Sequence, residues 1–261
     1  MSNLHRINIL GTPIDRVSMA GAIVRVHQFI AARMPRLIIT PNVDHVIQTR
    51  RDAEFKRIYA CADLTVPDGV PLLWAAKFLG QPLIERVNGT DLFEALCACG
   101  ARLGHRVFLL GAAPGVAAQA AENLQRRHPG LDVTGVYSPP YDFFDDLAEN
   151  QKIVAMIRAA RPDLLFVGLG APKQEKWIYS HMHELQVPVS IGVGASFEYV
   201  AQAATRAPRW MQRAGLEWLF RILKHPGRYW KRYVNDALLF FPLILQQRLG
   251  LGNFTLQSPA F

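Results

Sequence analysis

Between Ile7 and Val193, short runs that are apolar on both sides recur between longer segments with helical spacing. The runs are Ile7–Leu10, Leu37–Ile39, Leu64–Val66, Val107–Leu110, Val133–Val136, Leu164–Val167 and Val189–Val193. Strands buried on both faces of a parallel sheet read this way. Met19–Ala32, Gly69–Leu79, Leu92–Leu103, Val116–His128, Leu147–Ala160 and Gln174–Leu185 lie between them as predicted helices. The alternation predicts an α/β fold, with a mostly parallel, Rossmann-like sheet sandwiched by helices. Arg161-Pro162 and Val187-Pro188 punctuate passages from helix to strand, because proline pushes its predecessor out of the helical region.

After Ser196 the pattern changes. From Arg209 to Leu249 the chain reads as helical, basic and aromatic, with no further strand. The predicted division is an α/β core over residues 1–205 and a basic, amphipathic helical appendage over 206–261. All predicted strands precede the junction, so a cut there is expected to leave a folded core. Charge separates the two parts. Of the net +8, the stretch from Arg206 to Arg248 carries +7, with Glu217 and Asp236 its only acids. A local basic block seeks phosphate, in nucleic acid, anionic lipid or a diphosphate substrate. The apolar run Ala237–Leu245 is too short to span a bilayer and holds Pro242, which is expected to interrupt it. It suits shallow burial in a membrane interface.

Half of the 261 residues are hydrophobic and 19% are charged, which excludes a disordered chain. No apolar run approaches the roughly 20 residues of a transmembrane helix. The first ten residues lack a signal-peptide layout. Cys61, Cys97 and Cys99 are odd in number and form no CxxC pair, so a reducing cytosol fits better than a disulfide framework or a zinc site.

Open parallel sheets bind ligands beyond the carboxyl ends of their strands, and polar clusters fall at these predicted ends. Thr40-Pro41-Asn42-Val43-Asp44-His45 follows one strand, and Thr40 or Asn42 is placed either to cap the next helix or to face a ligand. Asp68, on a turn between Pro67 and Pro71, reads as a helix N-cap or as a rigidly held general base. Arg86, beside Asn88, reads as a solvated charge or as a phosphate clamp. Gly111 opens a small-residue passage into a helix, where phosphate or ribose can approach the backbone. Gly168 and Gly170 do the same before Pro172, with Lys173 and Gln174 following. Gly192 and Gly194 repeat this logic ahead of Phe197, which reads as a core residue or as a stack for a base. The spacing is not GxGxxG. No Asp-x-Asp triplet, Walker A sequence or Gly-x-Ser-x-Gly occurs, which leaves a metal-chelated diphosphate without obvious ligands and weakens hydrolase readings.

Taken together, Thr40-Pro41-Asn42 with Asp44-His45, Pro67-Asp68-Gly69, Arg86-Val87-Asn88-Gly89-Thr90-Asp91, Gly168 through Glu175, Arg206-Ala207-Pro208-Arg209-Trp210, and Gly215-Leu216-Glu217-Trp218 with Arg221 to Arg228 resemble the WecG/TagA/CpsF glycosyltransferases. The resemblance covers nearly the whole chain. It implies a metal-independent inverting transferase that needs no cofactor and uses a UDP-sugar donor. The implied acceptor is a polyprenyl-diphosphate-linked sugar of cell-wall or exopolysaccharide biosynthesis, and the donor sugar is N-acetylmannosamine, its uronic acid or glucose. It implies that Asp68 is the catalytic base and that Thr40, Asn42, Arg86 and Gln174 line the site. The basic appendage is implied to close over the active site at the membrane; an anionic surface on the cytoplasmic side matches its charge, and self-association is compatible with the sequence. Arg221 and Arg228 are candidates to stabilise the leaving diphosphate or to bind anionic headgroups. Seven residues apart, they share a helix face if Pro226 does not break the helix. Two other functions fit the composition: a nucleic-acid-binding protein, opposed by the near-neutral core, and a non-enzymatic membrane scaffold that binds nucleotide.

Overall fold

The structure is a computed structural model that describes residues 5–256, apart from the side chain of Arg228. Its centre is a six-stranded parallel sheet built from β3 (Arg36–Ile39), β4 (Leu64–Thr65), β5 (Arg106–Gly111), β6 (Asp132–Tyr137), β7 (Leu164–Gly168) and β8 (Val189–Gly192). The spatial order is β4-β3-β8-β7-β5-β6. Alternation along each strand divides the core between two faces. Ile38, Leu64, Val107, Leu109, Phe166 and Ile191 pack on one side, against α1 (Met19–Ala32), α5 (Gly89–Leu103), α6 (Val116–Arg127) and α9 (Ser196–Val200). Leu37, Ile39, Phe108, Leu110, Leu165 and Val167 pack on the other, against α3 (Ala53–Cys61), α7 (Leu147–Ala160) and α8 (Lys173–Leu185). This is the predicted sandwich. Phe197 belongs to it: it is fully buried, 5.5 Å from the ring of Phe93, and is a core residue.

The N-terminus departs from expectation. Ile7–Leu10 is not a strand of the parallel sheet. It falls in β1 (Arg6–Ile9), which pairs antiparallel with β2 (Thr12–Asp15) as a separate hairpin. Leu10 and Gly11 both have positive φ, as a tight two-residue hairpin turn requires. β2 was not legible because Pro13 and Asp15 interrupt its apolar pattern. Asp15 is fully buried for a structural reason. Its carboxylate accepts from Arg6 Nε at 3.0 Å and from Thr65 N at 2.7 Å, which ties the hairpin to β4. Two helices were also unassigned, α2 (Val43–Arg51) and α3. Asn42 caps α2 by accepting from His45 N, and Asp52 caps α3 by accepting from Phe55 N.

The C-terminal part is helical as expected: α10 (Arg209–Arg213), α11 (Glu217–Lys224) and α12 (Pro226–Arg248). Two details differ. The helix does break at His225-Pro226, so Arg221 and Arg228 stand on separate helices and share no face. Pro242, by contrast, does not interrupt α12. Its missing N–H leaves the carbonyl of Leu238 without its helical partner, and Leu238 lies on an exposed face where water can serve instead. Phe240 and Ile244 of α12 are buried with Ile7, Ile9, Leu10 and Ile14 of the hairpin and with Leu72 and Ala76 of α4 (Val70–Phe78). Gln247 adds bonds to Leu10 N at 2.8 Å and Asn8 O at 2.9 Å. A cut at Arg206 therefore uncovers this third cluster as well as removing the basic helices. Among the described residues no helix is long and apolar enough to cross a membrane.

Candidate active site

The turn after β4 delivers Asp68 to the carboxyl edge of the sheet. Gly69, not Asp68, occupies the N-cap of α4. The Asp68 carboxylate is turned instead to the start of α5. One oxygen accepts from Asn88 Nδ2 at 2.8 Å and the other from Gly89 N at 3.1 Å. Asn88 is itself fixed, because its Oδ1 accepts from Thr90 N and Asp91 N. Thr40 stands beside the pair. A Cβ on Gly89 would lie 3.2 Å from Thr40 Oγ1 and 3.4 Å from Asp68 Oδ2, so a side chain there would crowd both groups. Thr40 Oγ1 also donates to Gly192 O at 3.3 Å, linking Asp68 to the end of β8.

A cavity of about 400 Å³ opens above Asp68, with Asn42, Arg86, Asn88, Glu217, Arg221 and Arg232 among its polar lining. Asp68 is half-buried and lines this cavity, and desolvation raises its pKa above the ordinary carboxylate value. The Gly89 N–H and the Arg86 and Arg221 charges oppose the shift, while Glu217 adds to it. Burial alone would lower the pKa of Arg221. Tyr199, Tyr233 and Asp68 more than offset this, and Arg221 stays firmly cationic. Its guanidinium lies 5.8 Å from the centre of the Tyr199 ring.

The appendage is clamped to this floor by charge. Arg86 donates to Glu217 at 2.7 Å and to the Gln212 carbonyl at 3.2 Å. Arg206 donates to the other Glu217 oxygen at 3.2 Å, to Asp91 at 2.6 Å and to Asn88 at 3.2 Å. Gly215 has positive φ, and a Cβ there would lie 2.4 Å from Val70, so only glycine lets the appendage approach α4 so closely. Glu217 is one of two acids in the basic block, and a rare acid so placed is the sequence signal for such a clamp. Arg86 is thus largely covered and paired with Glu217, and it lines the cavity.

The glycine passages serve packing first. A Cβ on Gly111 would lie 2.5 Å from Gly168 O, one on Gly168 2.8 Å from Phe197, and one on Gly192 2.6 Å from Gln174 Nε2. Gly170 and Gly194 differ: both have positive φ and nothing within 4 Å of the Cβ position. Gln174 holds these two turns together. Its Oε1 accepts from Gly170 N at 3.2 Å and Gly194 N at 3.0 Å, while its Nε2 donates to buried Glu175 at 2.7 Å. Lys173 starts α8 and lies 4.9 Å from the ring centres of Tyr141 and Phe144. Arg228 falls on α12, and its side chain lies outside the described residues. Among the described residues no group of three His, Cys, Asp or Glu side chains is placed to hold a metal ion.

A parallel sheet whose carboxyl edge carries a half-buried carboxylate, a cavity and fixed cations belongs to the open α/β enzymes that bind ligands at strand ends. A model of the glycosyl transferase WecG/TagA/CpsF family matches residues 7–253, and the chain belongs to that family. It is a glycosyltransferase. It is 33% identical over 198 residues to an N-acetylglucosaminyldiphosphoundecaprenol N-acetyl-beta-D-mannosaminyltransferase of Bacillus spizizenii, which covers 76% of this chain and 74% of the relative. It is 32% identical over 234 residues to a Staphylococcus aureus (strain MW2) protein of the same description, covering 88% of each.

Proposed function

We propose that the chain transfers a sugar, with inversion, from a UDP-sugar to a polyprenyl-diphosphate-linked sugar at the cytoplasmic membrane surface, and that N-acetylmannosamine is the donor sugar. The observation that carries this reading is Asp68: a carboxylate held by Asn88 and Gly89 on the floor of a cavity crossed by Arg221. Inversion needs one base to take the acceptor proton while the nucleotide diphosphate leaves from the opposite face. Burial suits Asp68 to this task, since a raised pKa makes its carboxylate a stronger base than an ordinary aspartate. Arg221 stabilises charge on the departing diphosphate, as a fixed cation in a water-poor site does effectively. Thr40, Asn42 and Asn88 shape the floor. Gly170, Gly194 and Lys173, at strand ends joined to the floor through Thr40 and Gly192, are the proposed donor side, with Gln174 holding its turns. The donor and acceptor assignment is supported by the two relatives, whose descriptions name a mannosaminyl group and a diphosphoundecaprenol acceptor. The basic appendage is the proposed contact with anionic lipid, at about 1 kcal/mol per basic residue near the surface.

The test is a panel of UDP-sugars with an N-acetylglucosaminyl-diphosphate-lipid acceptor, followed by mass spectrometry of the lipid product. A disaccharide lipid is expected from UDP-N-acetylmannosamine. Turnover with only another donor overturns the choice of sugar, and no lipid-linked product from any donor overturns the acceptor.

A further inference from the structure

The cavity has two chemically different walls. Its floor is polar and charged. Its outer wall, between α4 and α12, is apolar and includes Trp74 and Phe241. These are large side chains left 58% and 50% exposed. Phe241 has no hydrogen-bonding group and Trp74 only its single indole N–H, too little to match a sugar ring or a diphosphate. The apolar surface also continues past the cavity. Phe78 follows Trp74 by one helical turn, and Leu245 follows Phe241 by one turn, both exposed. The two stripes run in the same sense, because Gly80, just past α4, lies beside Arg248 at the end of α12. Together they form an apolar track leading out from the catalytic cavity. At its inner end stand Arg221 and Arg232, the latter 4.0 Å from Asp44. Cations at the head of an apolar track match an anionic group attached to a hydrocarbon chain.

We propose that this track is the seat of the acceptor's polyprenyl chain: its diphosphate-proximal isoprene units lie against Trp74 and Phe241, and its diphosphate meets Arg232. The inference rests on the proposed function for the identity of the lipid, but it is tested by binding alone. In this arrangement the chain is recognised by the protein as well as by the bilayer. The acceptor sugar is thereby directed from the membrane side toward Asp68.

The experiment measures binding of dimethylallyl, geranyl and farnesyl diphosphate to the full chain by calorimetry, below their micelle concentrations and without vesicles or detergent. Head-group charge is constant across the series, so only the track senses the change. Affinity is expected to rise by about tenfold per added isoprene unit. Trp74→Ala and Phe241→Ala are expected to flatten that dependence, while Trp74→Phe and Phe241→Leu largely keep it. Both side chains are half exposed, so the substitutions do not open the core, and circular dichroism checks this. Affinity independent of chain length, or a dependence that survives both alanine variants, overturns the proposal. A flat series together with vesicle binding lost in the alanine variants makes the track a bilayer contact instead. A flat series with weakened UDP binding makes it a base-stacking wall. A steep series that the alanine variants abolish, in a protein that transfers no sugar to any lipid, keeps the track and removes the proposed function.

Discussion

The floor and the roof of the cavity are held by different forces. Asp68, Thr40 and Asn88 stand on strand ends and a helix start, backed by a sheet whose strands, edge strand β6 excepted, are largely buried on both faces. The roof, α10 and α11, has little apolar burial: Met211 is the only buried residue of α10, and α11 has none. Glu217, Arg86, Arg206 and Asp91 hold it instead. Apolar burial has no charge to screen, whereas an ion-pair clamp can be weakened by salt, most at its exposed Asp91 end and least at the covered Arg86–Glu217 pair. The proposed base therefore stands on the rigid part, whereas Arg221 and substrate closure fall to the part that can release. α12 belongs to both, its Phe240 end in the core and its Arg232 end over the cavity.

The largest expected effect lies in the floor. Asp68→Asn should lower the transfer rate by about 10²–10⁴-fold, the usual cost of losing a general base, while UDP binding by calorimetry survives. Activity within a few-fold of wild type removes Asp68 from the mechanism. Next comes the clamp. Glu217→Ala strips Arg86 and Arg206 of a shared partner, and a hydrogen bond to a charged group is worth about 1.5–3 kcal/mol. We expect kcat/KM to fall roughly tenfold or more, at about 1.4 kcal/mol per tenfold, with faster proteolysis between α9 and α12 and little change in the melting temperature. A large fall in melting temperature would show that the roof is integral to the fold. On the donor side, Gln174→Leu frees the turns at Gly170 and Gly194 and should raise the donor KM by about tenfold, one charge-assisted contact's worth; a change in kcat alone places Gln174 elsewhere in the cycle.

Smaller effects concern charge on α12. Burial, with Asp44 nearby, raises the pKa of Asp236 to about 6, against the opposing charges of Arg232 and Arg51. A carboxyl whose folded pKa is raised favours the fold below its unfolded pKa, and that contribution is lost as pH rises through 6. Asp236→Asn removes the cost of ionisation. Its stability relative to wild type should therefore grow between pH 4 and pH 6 and level off above, reaching about 1 kcal/mol once solvent screening is allowed for. Urea melts at several pH values check this, and a constant difference contradicts the assignment. Least of all should EDTA matter. Lost turnover that Mg²⁺ or Mn²⁺ restores would contradict metal-free transfer.

The sheet was legible because doubly buried strands write their environment into continuous apolar runs, as Val107–Leu110 and Leu164–Val167 do. The hairpin's second strand was not, because buried Asp15 is satisfied by Thr65 and Arg6, fifty and nine residues away. α2 and α3 escaped for a related reason: each is short, and each shows only part of an apolar face. Of the candidate site, Asp68, Thr40 and Asn88 were visible as polar residues at strand ends. The clamp was not, since Arg86 and Glu217 meet across 131 residues. The glycines were visible, but which of them pack and which face open space depends on neighbours from other strands. The break at His225-Pro226 was foreseeable from proline chemistry, and the continuity of α12 through Pro242 was not, because it depends on which face meets water.

The account's central claim is that a desolvated Asp68 acts as the base. The direct measurement is the pH dependence of single-turnover transfer with a short-chain, water-soluble acceptor, where membrane docking plays no part. The base works only as a carboxylate, and its pKa is raised. The rate should therefore climb with pH through a midpoint above the ordinary aspartate range and then level off, and Asp68→Asn should abolish that acid limb. An acid limb unchanged in Asp68→Asn, or a wild-type rate flat down to the ordinary aspartate range, would contradict it.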